Sequence, residues 1–304
     1  MPPAVAHADV LPVLEREFTT PILDLESLPG GNIARIFGFV TDDVAYVIRF
    51  NEHLAHGFAN EARIIEMLAE TSVPIPAMVR VGKLGKLDYA ISLHAPGQTL
   101  QSLDHAGNEA VIPEMIAILD EIHRADISAT TGYGDFDALG KGRSPSWRRH
   151  LLDIREDGPR EGFYPPWGDL FATTLLERPM IDRLFARLTR LVGFCPEQRW
   201  LIHGDYGFDN ILAENGRITA VIDWLGARFG DFIYDVAWLD LWSELDFTDR
   251  FARHYAESRQ IIPELRERVL CYQCYMAIDA LRFFALSGED DAYLWLRDRA
   301  LKLA

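Results

Sequence analysis

One stretch limits the folds open to this chain more than any other: LIHGDYGFDNIL, Leu201 to Leu212, followed by ITAVIDW, Ile218 to Trp224. Apolar runs flank a polar loop that holds His203, Asp205 and Asn210, and a further apolar run of strand type ends on Asp223. Short buried strands on both sides anchor such a loop at a core edge, so its polar groups are held rather than left to drift. Asp205 stands five residues before Asn210, and Asp223 follows Asp205 by 18. A carboxylate on a rigid loop can take the proton of a hydroxyl. An amide oxygen and a second carboxylate are hard ligands of the kind Mg²⁺ accepts when it is bound on a triphosphate. The three residue types at this spacing point to phosphoryl transfer.

The rest of the chain changes texture near residue 95. Before it, ARIFGFV and AYVIRF flank a TDD turn, and AMVRVGKL and LDYAISL flank Gly85 and Lys86, so two hairpins are expected. GFANEARIIEMLAETSV between them has helical periodicity and ends at PIP. After residue 105 helical periods dominate, over 108–125, 176–193, 232–243 and 262–286, with a strand pair around NILAENGRITAVIDW. Segment 130–175, rich in Gly, Pro and aromatic residues, has no clear period and is expected to form a lid or side wall. The expected class is α+β, with a small β-rich lobe over 1–94 joined through HAPGQTL to a larger helical lobe over 95–304.

Thirty Lys and Arg against 46 Asp and Glu give a formal charge of −16, which disfavours nucleic acid and anionic membrane and favours a cationic small partner. No obligate protein partner is implied. Three cysteines and an N-terminus without a charged start and apolar run fit a reducing, cytoplasmic setting. Even YMAIDALRFFAL is broken by Asp279 and Arg282, so no membrane span is expected. Cys271 and Cys274 form a lone C-x-x-C in a helical pattern, which reads as ordinary buried thiols.

The wording HGD and IDW resembles the aminoglycoside phosphotransferase family of kinase-like enzymes. SVPIPAMVRVG, HAPGQTL, TTGYGDF, NGRITAVIDW and FGDFIYDVAWLDLW are similar to members that phosphorylate hygromycin B. The resemblance implies a two-lobed protein-kinase-like fold that uses ATP, with GTP as a possible substitute, and Mg²⁺. Asp205 would be the base, Asn210 and Asp223 the metal ligands, and His203 a positioner of the loop. In LPGGNIARIFGF, Gly30 and Gly31 would let the backbone approach phosphate. Arg49 stands where the wider family has a phosphate-gripping lysine, and an arginine there presents a planar fork instead of a point charge. Glu61 lies on the apolar stripe of its helix and needs a partner, for which Arg49 is the candidate. Pro96 has no N–H, so adenine recognition would fall to backbone groups near Leu93 and Ala95.

Downstream, Asp231 is expected to cap a helix or brace the catalytic loop, and Asp235 either to do the same or to join the acceptor wall. Asp235, Trp238, Asp240 and Trp242, with Glu244 and Asp246 nearby, are the expected acceptor wall, offering charge and stacking surface to amines on a sugar-like substrate. The leading acceptor is hygromycin B. The alternative is another small hydroxyl compound: a different aminoglycoside, a macrolide or a metabolic alcohol.

Overall fold

The computed structural model describes residues 3–28, 34–52, 58–157, 164–257 and 261–303. Helix α1 (His7–Glu17) leads into strands β1 (Leu23–Ser27), β2 (Arg35–Thr41) and β3 (Val44–Asn51), helix α2 (Ala59–Met67), and strands β4 (Met78–Leu84), β5 (Leu87–Leu93) and β6 (Gln98–Thr99). Next come α3 (His105–Ile122), β7 (Tyr133–Phe136), β8 (Gly142–Ser144), α4 (Trp147–Leu152), α5 (Trp167–Thr173), α6 (Arg178–Leu191), β9 (Trp200–Ile202), β10 (Ile211–Glu214), β11 (Arg217–Val221) and β12 (Arg228–Gly230). Helices α7 (Ile233–Trp242), α8 (Phe247–Glu257), α9 (Leu265–Ser287) and α10 (Asp290–Ala300) complete the chain. Contacts divide it into two compact units, Met1–Glu121 with Phe208–Leu225, and Ile122–Gly207 with Gly226–Ala304.

The first unit is built on an antiparallel sheet of order β1-β2-β3-β5-β4. Asp42 and Asp43 sit between the paired Thr41 and Val44 with φ of 51° and 59°, so the TDD turn is a tight two-residue reversal of left-handed residues that Asp tolerates. Strand period two sends Ile48 and Phe50 into a core shared with Phe37, Phe39, Tyr89 and Ile91 and with Val10, Val13 and Leu14 of α1. Arg49, between them in the strand, takes the opposite face. A second small sheet, β11-β10-β6, carries the hairpin that leads to Asp223.

The second unit has a four-stranded sheet, β8-β7-β12-β9, and packs α6, α7 and α10 on α9. By length and composition alone α9 is long and apolar enough to cross a membrane even with Asp279 and Arg282 in it, and 67% of its apolar window is buried inside the protein. It is the central core helix of this unit. Cys195, Cys271 and Cys274 are free and buried, and burial pushes the Cys274 thiol up to about 12. Segment 130–175 supplies β7, β8, α4 and α5. Its end is fastened to α9 by Arg282, whose guanidinium lies over Tyr164 and Trp167 at 4.0 and 4.4 Å and donates to the Pro165 carbonyl at 3.0 Å.

Of the two roles expected of Asp231, capping is the one observed, and its other contacts run to α9. Asp231 accepts from the backbone N–H of Ile233 at the start of α7 (3.2 Å), and it takes Arg268 through Nε (2.8 Å) and Nη2 (2.5 Å). The Tyr272 hydroxyl also donates to it, and Trp147 Nε1 donates to that hydroxyl at 3.1 Å. A fully buried carboxylate is tolerated because every neighbour is a donor.

Candidate active site

In the first unit the hairpin β10-β11 places Asn210 just before one strand and Asp223 just after its antiparallel partner. Ile211 pairs with Val221, and the Ile222 N–H donates to the Asn210 carbonyl at 2.9 Å. The two expected metal ligands therefore meet at the same end of one hairpin. Asn210 is buried, and Asp223 has a φ of 57°. Burial pushes the Asp223 carboxyl above its ordinary range, Arg49 pulls it down, and the like charges of Glu61 and Asp209 push it up.

Those causes also put Arg49 and Glu61 within electrostatic reach of Asp223. Arg49 Nη2 donates to Glu61 Oε1 at 2.7 Å, with both side chains mostly buried, and the guanidinium lies 5.2 Å from the centre of the Phe58 ring. The expected partner of Glu61 is thus the observed one. Glu61 Oε2 is buried with no hydrogen-bond donor among the described residues, so the carboxylate depends heavily on Arg49. Glu61→Gln is expected to release Arg49 and raise the KM for nucleotide about tenfold, since a charge-assisted bond in a partly buried setting contributes roughly 1.5–3 kcal/mol. Steady-state kinetics with the nucleotide varied would check it. An unchanged KM would mean that the pair has no role in holding nucleotide.

Of the backbone positions expected to read adenine, Leu93 spends its N–H on the Ala77 carbonyl at 2.9 Å, and His94 spends its own on Ala45 at 3.0 Å. The Leu93 and His94 N–H groups are therefore already spent within the sheet. Gly97 in the same connector has φ +99°, and a Cβ there would stand 2.4 Å from the Ala213 carbonyl oxygen. Gly30 and Gly31 lie outside the described residues.

The second unit holds Asp205 at the end of the HGD turn. Gly204 has φ +81°, and a Cβ on it would fall 2.0 Å from the Gly226 carbonyl oxygen, so only glycine fits. His203 is fully buried; its Nδ1 accepts the Asp205 N–H at 3.3 Å, and its ring meets Tyr206 edge-on at 5.7 Å. That is a positioning geometry. Asp205 itself keeps a partly exposed surface.

Asp235 corrects the expected acceptor wall. It is 0% exposed, its Oδ2 accepts the His203 N–H (2.9 Å), and its Oδ1 accepts the Gly204 N–H (2.8 Å). His123 Nε2 lies 3.3 Å from Oδ2. Asp235 therefore holds the backbone of the HGD turn and has no surface to offer a substrate. His123 is a partner that sequence reasoning missed, since nothing in ILDEIHRADI marks one buried imidazole as facing a carboxylate 112 positions away.

The other three residues of that wall are split. Trp238 and Trp242 share a face as expected, with ring centres 5.6 Å apart, and Trp242 stacks on the half-exposed Trp295 at 5.6 Å. Asp240 lies five residues beyond Asp235, about 140° around α7. Its carboxylate accepts from the Thr248 N–H at the start of α8 (3.2 Å) and from Gln273 Nε2 (3.1 Å). It lines a cleft of about 390 Å³ together with Glu244 and Asp246. There Glu244 is paired with Arg299 at 2.6 Å, and Asp246 accepts from the Asp249 N–H at 2.9 Å. The acids near the tryptophans thus cap and clamp helices, and the tryptophans are not among the residues that line their cleft.

A model of the phosphotransferase enzyme family matches residues 24–269. The chain is 32% identical over 281 residues to hygromycin-B 4-O-kinase of Escherichia coli, covering 91% of this chain and 80% of that protein. Its structure is similar to a thermostable mutant of aminoglycoside phosphotransferase APH(4)-Ia in ternary complex with ADP and hygromycin B, with a TM-score of 0.83, 30% identity and 97% of each chain covered. Spectinomycin phosphotransferase APH(9)-Ia, 14% identical, shares the fold at a TM-score of 0.64 over 99% of this chain and 94% of its own. The α+β kinase-like architecture, the hairpin that joins Asn210 to Asp223 and the match over 24–269 agree: the chain belongs to the phosphotransferase enzyme family.

Proposed function

We propose that this enzyme transfers the γ-phosphoryl group of ATP to a hydroxyl of hygromycin B and so confers resistance to it. One observation carries the nucleotide half of this reading: the β10-β11 hairpin brings Asn210 and Asp223 together, within the field of the Arg49–Glu61 pair. Asn210 and Asp223 would hold Mg²⁺ with the nucleotide's own oxygens. The donor set fits, because one amide and one desolvated carboxylate suit a hard cation whose other ligands are phosphate and water. Bound there, Mg²⁺ would offset the charge that develops on the transferred group. Arg49 would grip phosphate through its remaining donors while Glu61 fixes its orientation. Asp205 would orient the acceptor hydroxyl and accept its proton, with the HGD backbone held by Asp235. The functional division we favour is a nucleotide lobe over 1–94 and a catalytic and acceptor lobe over 95–304, in the cytoplasm.

For the acceptor, the support is the hygromycin-B 4-O-kinase relative and the formal charge of −16. Trp238 and Trp242 are the stacking surface we assign to it, and Asp240, which lines the cleft with Glu244 and Asp246, the carboxylate we assign to its amines. A panel of hygromycin B, other aminoglycosides, neutral macrolides and metabolic alcohols, assayed for ATP-dependent phosphorylation, tests this directly. Hygromycin B is expected to react best, with a KM that rises with ionic strength as the attraction of a cationic acceptor is screened. Efficient turnover of neutral macrolides without hygromycin B would overturn the acceptor while leaving the phosphotransferase chemistry in place.

A further inference from the structure

We propose that Arg228 is a positioning residue for the catalytic turn. It acts through the carbonyl of Gly226, which presses on Gly204 immediately before Asp205. Arg228 opens β12, where it pairs with Ile202 of β9, the strand that feeds the HGD turn. Its guanidinium folds back along the chain: Nε donates to the Gly226 carbonyl at 2.9 Å, Nη1 donates to the Tyr234 hydroxyl at 3.4 Å, and Cζ sits 5.2 Å from the centre of the Tyr234 ring. Asp135 Oδ1 of β7 lies 3.9 Å from Nε. Only 13% of the Arg228 side chain is exposed, so the guanidinium is held from three sides by a carbonyl, an aromatic ring with its hydroxyl, and a carboxylate.

The partner carbonyl is what gives this clamp a consequence for catalysis. The Gly226 oxygen stands where Gly204 would carry a Cβ, 2.0 Å from that point, and a Cβ on Gly226 would lie 3.3 Å from Asp205 Cβ. The Gly226 backbone therefore packs directly on the two residues that set the position of the base. The same turn is held by Asp235, which takes the N–H groups of His203 and Gly204. Asp235 ties the turn through these two groups, and the Gly226 carbonyl, fixed by Arg228, limits its movement at Gly204. A carbonyl pinned by a guanidinium has far less freedom than one left to exchange with water. An error of about 1 Å in the position of a base can cost roughly a hundredfold in rate without touching substrate affinity. An arginine suits this place better than a lysine, because one planar group must serve the carbonyl and the tyrosine hydroxyl together.

The inference rests on Asp205 being the base, and a parallel Asp205→Asn measurement separates the two. Arg228→Met should lower kcat by roughly tenfold to a hundredfold with the KM for ATP and for the acceptor unchanged. Arg228→Lys, which can still donate to the Gly226 carbonyl, should recover a clear part of that loss. Kinetics of both variants, with thermal melts alongside, decide the matter. A kcat within about twofold of the parent in folded Arg228→Met would overturn the proposal. So would equal losses in the Met and Lys variants that track a lowered Tm, since that is the mark of a packing residue. If the Met variant does not fold, the Lys variant carries the test: reduced kcat at unchanged KM and near-parent Tm supports positioning, and parental kcat overturns it. If Asp205→Asn keeps its rate, the base assignment fails whatever Arg228 shows.

Discussion

Asp205→Asn is expected to lower kcat by roughly 10²–10⁴-fold, the range a general base contributes, while nucleotide affinity stays within a few-fold of the parent. The asparagine has the same shape, and the contacts that fix the turn run through backbone atoms: the residue's own N–H to His203 Nδ1, and its carbonyl to the Gly207 N–H at 2.9 Å. Asp235 would still hold the two preceding N–H groups. What is lost is the capacity to take a proton from the acceptor hydroxyl. The effect should therefore appear in kcat, with the melting temperature and nucleotide titration close to the parent. A folded variant with near-normal kcat would remove Asp205 from the reaction and transfer the search to another group on the same turn.

The legible parts of this molecule are those whose physics is local. The TDD and Gly85 hairpins follow from alternation plus residues that accept positive φ, and both lie where expected. Glu61 on an apolar stripe required a cation, and Arg49 is that cation because strand period two places it opposite Ile48 and Phe50. The spacing from Asn210 to Asp223 is that of a short hairpin, so a sequence offset converts directly into proximity. The sequence cannot tell a bracing Asp235 from one in the acceptor wall, because α7 is buried almost all round, with Tyr234, Val236, Ala237, Leu239 and Leu241 inside, and such a helix has no readable polar face. The partners of Asp235 are backbone N–H groups, which have no residue identity to read. Arg228 was invisible for the same reason, since its main partner is a carbonyl. Segment 130–175 resolves into strands of three and four residues and helices of six and seven, too short for any period to show. In its place, arginine–aromatic stacking between distant residues does the fastening.

Asp223→Asn should separate stability from function in one substitution. Asparagine is the informative choice because Asp223 has a left-handed φ of 57°, which Asn tolerates and Ala does not. Burial, then Glu61 and Asp209, raise the carboxyl above its ordinary range against the pull of Arg49, so ionising it costs the free protein stability. The sign follows from linkage. Below the unfolded pKa, about 4, the carboxyl is neutral in both states and exacts no penalty; as pH rises from there toward the raised folded value the penalty grows, and above that value it is complete. The free Asn variant should therefore melt a few degrees above the parent at pH 7, each kcal/mol being about 2–4 °C, with the gap closing as pH falls toward 4. With Mg²⁺ and a non-hydrolysable ATP analogue the order should reverse. The parent gains stability in proportion to the ligand it binds, and a variant without the anionic ligand gains little. Melts at pH 4 and 7, with and without Mg²⁺-nucleotide, form the whole test. Equal stabilisation of the two proteins by Mg²⁺-nucleotide would show that Asp223 does not carry the metal, and a lower melting temperature for the free variant at pH 7 would show that its charge is not the burden that its burial implies.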